Sequence, residues 1–311
     1  MWVGAALFLV GLGLVLWGAE RFTDGALATA ARFAVSPFLV GVVVSGFEPE
    51  NLATGVAATL GGLPQVALGT VIGSAIFLLT GGLGLALLLV PMEVGIPRAG
   101  GLAMLLALVP FAVGLGLDGA VSRLDGALLV VAAVVLLAWL YRSAPAFLGT
   151  PSAEPGRPAL RARAFGLLAV GLVALVLGAE LAVWGAGLLI GTLGLSETFF
   201  GMTVVALGES LEETARMVAP ARRGHPELAW GNVVGTTIVL LGLNLGVIAL
   251  VRPVTADPLV LRLHAPYLAG CVLLVAAALG RARRLGRGTG GLLVALYLGY
   301  LALNLPHLFR T

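Results

Sequence analysis

Apolar stretches long enough to cross a bilayer recur from one end of this sequence to the other, and no other feature restricts its fold so strongly. A spanning helix needs about 20 predominantly apolar residues. Ten such stretches run approximately from Trp2 to Glu20, Pro37 to Leu60, Val66 to Val90, Pro97 to Leu117, Gly126 to Tyr141, Ala164 to Leu193, Phe199 to Pro220, Leu228 to Val251, Tyr267 to Gly280 and Gly290 to Leu308. With 59% of the residues hydrophobic and 11% charged, a soluble core of 311 residues has no way to hide the apolar surface. The first stretch lacks a basic flank and a small-residue cleavage site, so it reads as a retained helix rather than a signal peptide. The expected fold is an all-α polytopic membrane protein with ten transmembrane helices.

All eighteen basic residues are arginine. With the N-terminus outside, the odd-numbered connections and adjoining helix ends face the cytoplasm and hold all of them except Arg123, Arg252, Arg262 and Arg310. That bias orients the chain in the cell membrane with both termini outside, and it explains the basic balance without nucleic acid. The expected partners are the lipid bilayer and inorganic cations. Cys271 stands alone, which excludes an intrachain disulfide, and no cofactor fingerprint occurs. His225, His264 and His307 fall in predicted loops or near a terminus, without metal-ligand spacing.

Residues 142–163 carry Pro145, Pro151, Pro155 and Pro158 with little apolar content, so they read as a cytoplasmic linker between segments 1–141 and 164–311. Those segments repeat each other. Gly18-Ala19-Glu20 recurs as Gly178-Ala179-Glu180, and Ser36 with Gly41 recurs as Ser196 with Gly201. Further on, Gly46 pairs with Gly208, Pro64 with Pro226, Gly69 with Gly231, Gly73 with Gly235 and Pro91 with Pro253, each pair 162 residues apart. Five spans per half is an odd number, so the second half enters the membrane upside down. Two inverted five-helix repeats are the architecture of secondary transporters, with binding near the midplane.

The second and seventh spans contain Ser45-Gly46-Phe47-Glu48-Pro49-Glu50-Asn51 and Gly208-Glu209-Ser210-Leu211-Glu212-Glu213. A charge inside an apolar span costs about 2.5–3.5 kcal/mol even on the lenient insertion scale, so five acids in two spans require compensation. Gly46, Pro49 and Gly208 are expected to break or loosen these helices and to free carbonyl oxygens beside the carboxylates. Each acidic segment is followed by a Gly-rich one: Gly69-Thr70-Val71-Ile72-Gly73-Ser74 and Gly231-Asn232-Val233-Val234-Gly235-Thr236. Ser74 and Thr236 offer hydroxyls at matched positions, either as ligands or bonded to their own helices. Together these are oxygen donors suited to a hard cation. Glu20 and Glu180 are taken as interfacial.

These motifs resemble those of the Ca²⁺/cation antiporter superfamily, the sodium/calcium exchanger membrane region. Its members carry G-T-S-x-P-E in the second and seventh helices and G-N-x-x-G-S in the third and eighth. The match is best at Gly208, Ser210 and Glu213, at Gly231-Asn232-Val233-Val234-Gly235 and at Gly73-Ser74. The resemblance implies that Glu50, Ser74, Ser210, Glu213 and Thr236 bind Ca²⁺ or Na⁺ alternately. Glu48, Glu209, Glu212 and Asn51 complete the candidate set. Family members place Asn or Asp where this chain has Leu78 and Leu240, and Thr and Pro where it has Glu209 and Glu212. Two registers fit the first motif: matching Pro49-Glu50 selects Glu50, whereas the internal offset pairs Asn51 with Glu213. Arg216, four residues after Glu212, is placed to pair with it as a tethered cation.

The function expected is secondary active cation antiport by alternating access. Ca²⁺ is the first-ranked substrate, Na⁺ or H⁺ the counter-ion, and no cofactor is called for. The alternatives are a cation channel using the same acids as a selectivity ring, or an exchanger of another divalent or monovalent cation. An intramembrane hydrolase lacks any motif to support it.

Overall fold

The computed structural model describes residues 1–32, 48–94, 98–116, 119–143, 158–222, 224 and 226–309, apart from some side chains near helix ends and in the seventh helix. Their helices are α1 (Trp2–Arg32), α2 (Pro49–Leu60), α3 (Pro64–Leu89), α4 (Arg98–Gly116), α5 (Arg123–Ser143) and α6 (Pro158–Leu193). Next comes α7, which joins Glu197–Phe199, a π-helical stretch Phe200–Val205 and Ala206–Arg222. In α8, Pro226–Ile238 leads through a π-helical stretch, Val239–Asn244, into Leu245–Val251. The chain finishes with α9 (Val260–Arg281) and α10 (Arg287–Asn304). Residues 37–47 of the predicted second span, with Ser45, Gly46 and Phe47, lie outside the described residues.

Among the described residues, α1, α3, α5, α6, α8, α9 and α10 each contain a segment long and apolar enough to cross a membrane, and α4 is a shorter apolar helix. Burial sorts them into an inner and an outer set. The apolar windows of α3 and α8 are 89% and 78% buried, whereas those of the other five are 22–39% buried. The outer helices turn Trp2, Leu124, Val135 and Trp184 outward. Apolar faces of this extent are stable against lipid, where a helix also satisfies its own backbone.

Glycine decides how closely the helices approach. Gly4, Gly11, Gly18 and Gly25 recur every seventh residue on α1, as do Ala164, Gly171, Gly178 and Gly185 on α6. Gly11 meets Gly178, Gly18 meets Gly171 and Gly4 meets Gly185, so the two helices run antiparallel. A Cβ at Gly11, Gly18, Gly171 or Gly178 would fall within 3.0 Å of the other helix's backbone, and small residues allow this contact. Val15, Ala19, Leu175 and Ala179 fill the seam as a cluster separate from the main core. A similar approach joins α3 to α7 at Gly69 and Gly201.

Two short antiparallel ladders tie helix ends together. Met92–Glu93 (β1) pairs with Arg284–Leu285 (β4), and Ala120–Val121 (β2) pairs with Val254–Thr255 (β3). β1 precedes β3 by the same 162 residues that separate the matched glycines.

The structure corrects the ninth predicted span. A π-helical stretch at Val260–His264 carries the helix through Pro266, so α9 begins seven residues before Tyr267. Widening of the turn just before the proline accommodates its missing N–H donor. His264 therefore lies in no loop: it is buried, with Nδ1 2.9 Å from the Tyr300 hydroxyl.

Candidate cation site

Glu48 opens the site with a backbone irregularity. At φ 42° and ψ 60° it is the one non-glycine residue with positive φ among the described residues. That conformation costs an L-residue about 1–2 kcal/mol. Pro49 then occupies the first turn of α2, where its lack of an N–H is harmless. The Glu48 carbonyl accepts bonds from Leu52 N (3.1 Å) and from Asn244 Nδ2 on α8 (3.3 Å). Both Glu48 and Glu50 have side chains buried in the protein, beside a helix N-terminus whose dipole favours negative charge.

The second acidic segment is built differently from expectation. Gly208 does not break its helix: Ala206–Arg222 is continuous, and the loosened turn is the π-helical stretch that precedes it. Gly208 instead makes room for α1, since a Cβ there would lie 2.7 Å from Leu12 Cδ2. Along this helix Glu209, Ser210 and Glu213 are buried, while the Glu212 side chain lies outside the described residues.

Carboxylate oxygens of Glu48, Glu50 and Glu213 all lie within 4.8 Å of one another. Arg216 stands among them. Its Nη1 donates to Glu213 Oε1 at 2.6 Å and to Glu48 Oε1 at 3.1 Å, and its Nη2 donates to Glu50 Oε1 at 3.4 Å. Arg216 was expected to pair with Glu212 on its own helix. The Glu212 side chain lies outside the described residues; the described contacts join Arg216 to Glu213 on its own helix and reach across to Glu48 and Glu50 at the start of α2. Thr236 Oγ1 donates to Glu48 Oε1 (3.3 Å), and Asn232 Nδ2 donates to Glu213 Oε2 (2.6 Å).

Asn51 and Ser74 form a neighbouring set. Asn51 Nδ2 donates to the Thr70 carbonyl (2.5 Å) and to Ser74 Oγ (2.8 Å). Thr70 precedes Asn232 by 162 residues, as Asn51 precedes Glu213, so the contacts follow the internal offset. Asn51 thus holds the place matched to Glu213, and of the two residues Glu50 is the one whose carboxylate joins Glu48 in the cluster. Glu209 stands apart from the trio. Among the described residues neither of its oxygens has a hydrogen-bond partner, and it lines a small cavity with Thr54, Phe8, Leu12 and Ala182.

Leu78 and Leu240 are fully buried and offer no oxygen. Asn244, four residues after Leu240 and not among the predicted site residues, is a second amide of α8 whose donor reaches the Glu48 carbonyl. Thr54, likewise not among them, shares a cavity with Glu209. A broad apolar groove of about 680 Å³ separates α2 from α6, reaching from Leu188 to Pro49 at the edge of the site. Carboxylates, hydroxyls and the Glu48 carbonyl at the start of α2 together make an oxygen-rich, buried locus, the chemistry that holds a hard cation.

The arrangement has counterparts among known proteins. The inner membrane protein YrbG of Escherichia coli (strain K12) is 31% identical over 97% of this chain and 97% of its own length. The membrane protein MJ0091 of Methanocaldococcus jannaschii is 30% identical over 95% of this chain and 96% of its own. Among solved structures, the sodium-calcium exchanger NCX_Mj superposes with a TM-score of 0.63 at 29% identity, covering 96% of this chain and 98% of that one. The family model described as sodium/calcium exchanger protein matches residues 3–142 and 163–305. This chain therefore belongs to the sodium/calcium exchanger family.

Proposed function

We propose that this protein exchanges Ca²⁺ for Na⁺ or H⁺ across the cell membrane by alternating access, with Glu48, Glu50 and Glu213 as the carboxylate ligands. The convergence of these three acids from α2 and α7 within 4.8 Å carries the reading. Thr236, Ser74, Ser210 and the Glu48 carbonyl are the accessory oxygens, and Asn51 and Asn232 orient their neighbours. Glu209 and Glu212 lie on the same helix as Glu213 and are assigned to the cation pathway. Family membership and the antiport named among its relatives support exchange over a channel.

Ten crossings arranged as inverted repeats, with both termini outside, remain part of this proposal. Its supports are the antiparallel glycine seam of α1 and α6, the paired ladders, the two segments matched by the family model and the arginine bias. The separate seam cluster and the groove beside α6 leave α1 and α6 room to move as a pair against the buried α3 and α8.

Ca²⁺ flux into liposomes containing the purified protein tests the reading, with an outward Na⁺ gradient compared with an outward proton gradient. Uptake under either gradient is expected and identifies the counter-ion. Absence of uptake under both would remove Ca²⁺ as the substrate, and single-channel currents would favour a pore.

A further inference from the structure

The apolar groove between α2 and α6 holds one acid. Of the described side chains that line it only Glu180 is ionisable, and around it the walls are made by Leu52, Val56, Leu175, Val176 and Val183. Glu180 was taken as interfacial, but the helix pairing puts it deeper. Gly178 and Ala182, on either side of it, pack against Gly11, near the middle of the apolar window Trp2–Phe22 of α1. Glu180 therefore stands at membrane depth, exposed, with no hydrogen-bond or ion-pair partner among the described residues. An acid at that depth is costly without a compensating cation.

The chain places such a cation beside the triplet on α1 and not on α6. The Gly-Ala-Glu triplet of α1 is followed by Arg21, whose guanidinium lies 5.5 Å from the centre of the Trp17 ring and 3.5 Å from Asp24. The same triplet of α6 is followed by Leu181. Four residues beyond Glu180 comes Trp184, on the same face of the helix, 65% exposed and also lining the groove. A carboxylate and an indole one turn apart are the chemistry that recognises a quaternary ammonium, by charge and by the face of the ring. A cation lodged beside a carboxyl group favours its charged form, so the two support each other. From Leu172 to Leu188 the groove follows α6 for about 24 Å with Glu180 at its middle, which leaves about 12 Å of apolar wall on the Leu172 side for an alkyl tail.

We propose that this groove binds a single-chain quaternary ammonium amphiphile, with its head at Glu180 and Trp184 and its tail along the walls of α2 and α6. Because α2 begins at the cation site while α6 belongs to the pair that moves, an occupant of the groove holds the two together and slows exchange; this consequence rests on the alternating-access reading above.

Binding of dodecyltrimethylammonium to the purified full-length protein in uncharged maltoside micelles tests the site, with dodecanol as the tail without the charge. Both side chains are exposed, so substituting them leaves the core intact. The wild type is expected to bind the ammonium about tenfold more tightly than Glu180→Gln. Trp184→Ala is expected to weaken binding about fivefold, and Trp184→Phe, which keeps a ring, to weaken it less. Equal affinity of the wild type and Glu180→Gln overturns the proposal. So does dodecanol that competes as well as the ammonium, which would make the groove a seat for any lipid tail. In liposomes the same probe is expected to inhibit Ca²⁺ uptake by the wild type at concentrations about tenfold below those needed for Glu180→Gln, whose uptake without the probe matches the wild type. Charge-selective binding with equal inhibition of both proteins overturns the effect on exchange alone. Absence of wild-type uptake under both a Na⁺ and a proton gradient overturns the exchange reading, and the binding comparison still decides the site.

Discussion

The acidic segments of α2 and α7 reach one cluster by different routes. At the start of α2, Glu48 adopts a left-handed conformation, Pro49 opens the helix, and two carboxylates arrive at its N-terminus. On α7 the helix is continuous, and Glu213 arrives together with a cation of its own, Arg216, one turn later. Where the second half has Glu213 bonded to Asn232, the first has neutral Asn51 bonded to Thr70 and Ser74. Residues 162 apart occupy corresponding places and carry different charges. Of the trio, α2 and the residue before it supply two carboxylates, and α7 supplies the third together with a guanidinium.

Substitutions can break or sharpen that contrast. Glu213→Gln has the largest expected effect, since it removes the one carboxylate of the trio that α7 contributes. Breaking a buried ion pair costs ~3–5 kcal/mol, so Ca²⁺ exchange is expected to fall ~100-fold or more. Radioactive Ca²⁺ uptake at the wild-type rate would take Glu213 out of the site. Glu50→Gln comes next, with a loss of about tenfold, because its 3.4 Å contact to Arg216 is the longest of the three. Equal losses in the two variants would argue that the halves share the cation evenly.

Asn51→Ala probes the neutral counterpart of Glu213. It removes two hydrogen bonds and leaves buried partners unpaired, which is expected to cost ~1–3 kcal/mol of stability while exchange falls less than the Glu50 variant. Thermal unfolding in detergent, set beside flux, separates the two effects; a transport loss as deep as that of Glu213→Gln would make Asn51 a ligand in its own right. The smallest effect isolates the left-handed backbone of Glu48. Glu48→Ala and Glu48→Gly lose the same carboxylate and should transport equally poorly, yet glycine is free of the left-handed penalty. Glu48→Gly is expected to be the more stable by ~1–2 kcal/mol in the same unfolding assay. Equal stability would show that Glu48's backbone conformation carries no strain.

Much of this was legible in the residue order, and the division follows physical range. Run length and apolarity declare a membrane protein because about 20 apolar residues have no other solvent. An offset of 162 residues pairs Gly and Pro positions in the two segments, and acids inside apolar spans mark a candidate cation site, since intramembrane charge is costly. Those inferences need only what is local in the chain or identical at a distance. Tertiary structure decided the rest. Which carboxylates meet depends on helix rotation and depth, and these are set by close contacts such as Gly69 against Gly201 and Gly208 against Leu12. Spacing on α7 offers Arg216 near partners, and Glu213 is one of them, but its contacts to Glu48 and Glu50, more than 160 residues away, come only from the packing of α2 against α7. His264 went from loop to core, and Asn244 went unnoticed, for the same reason: the value of a polar group in a membrane is fixed by the partner it meets, and that partner comes from another helix.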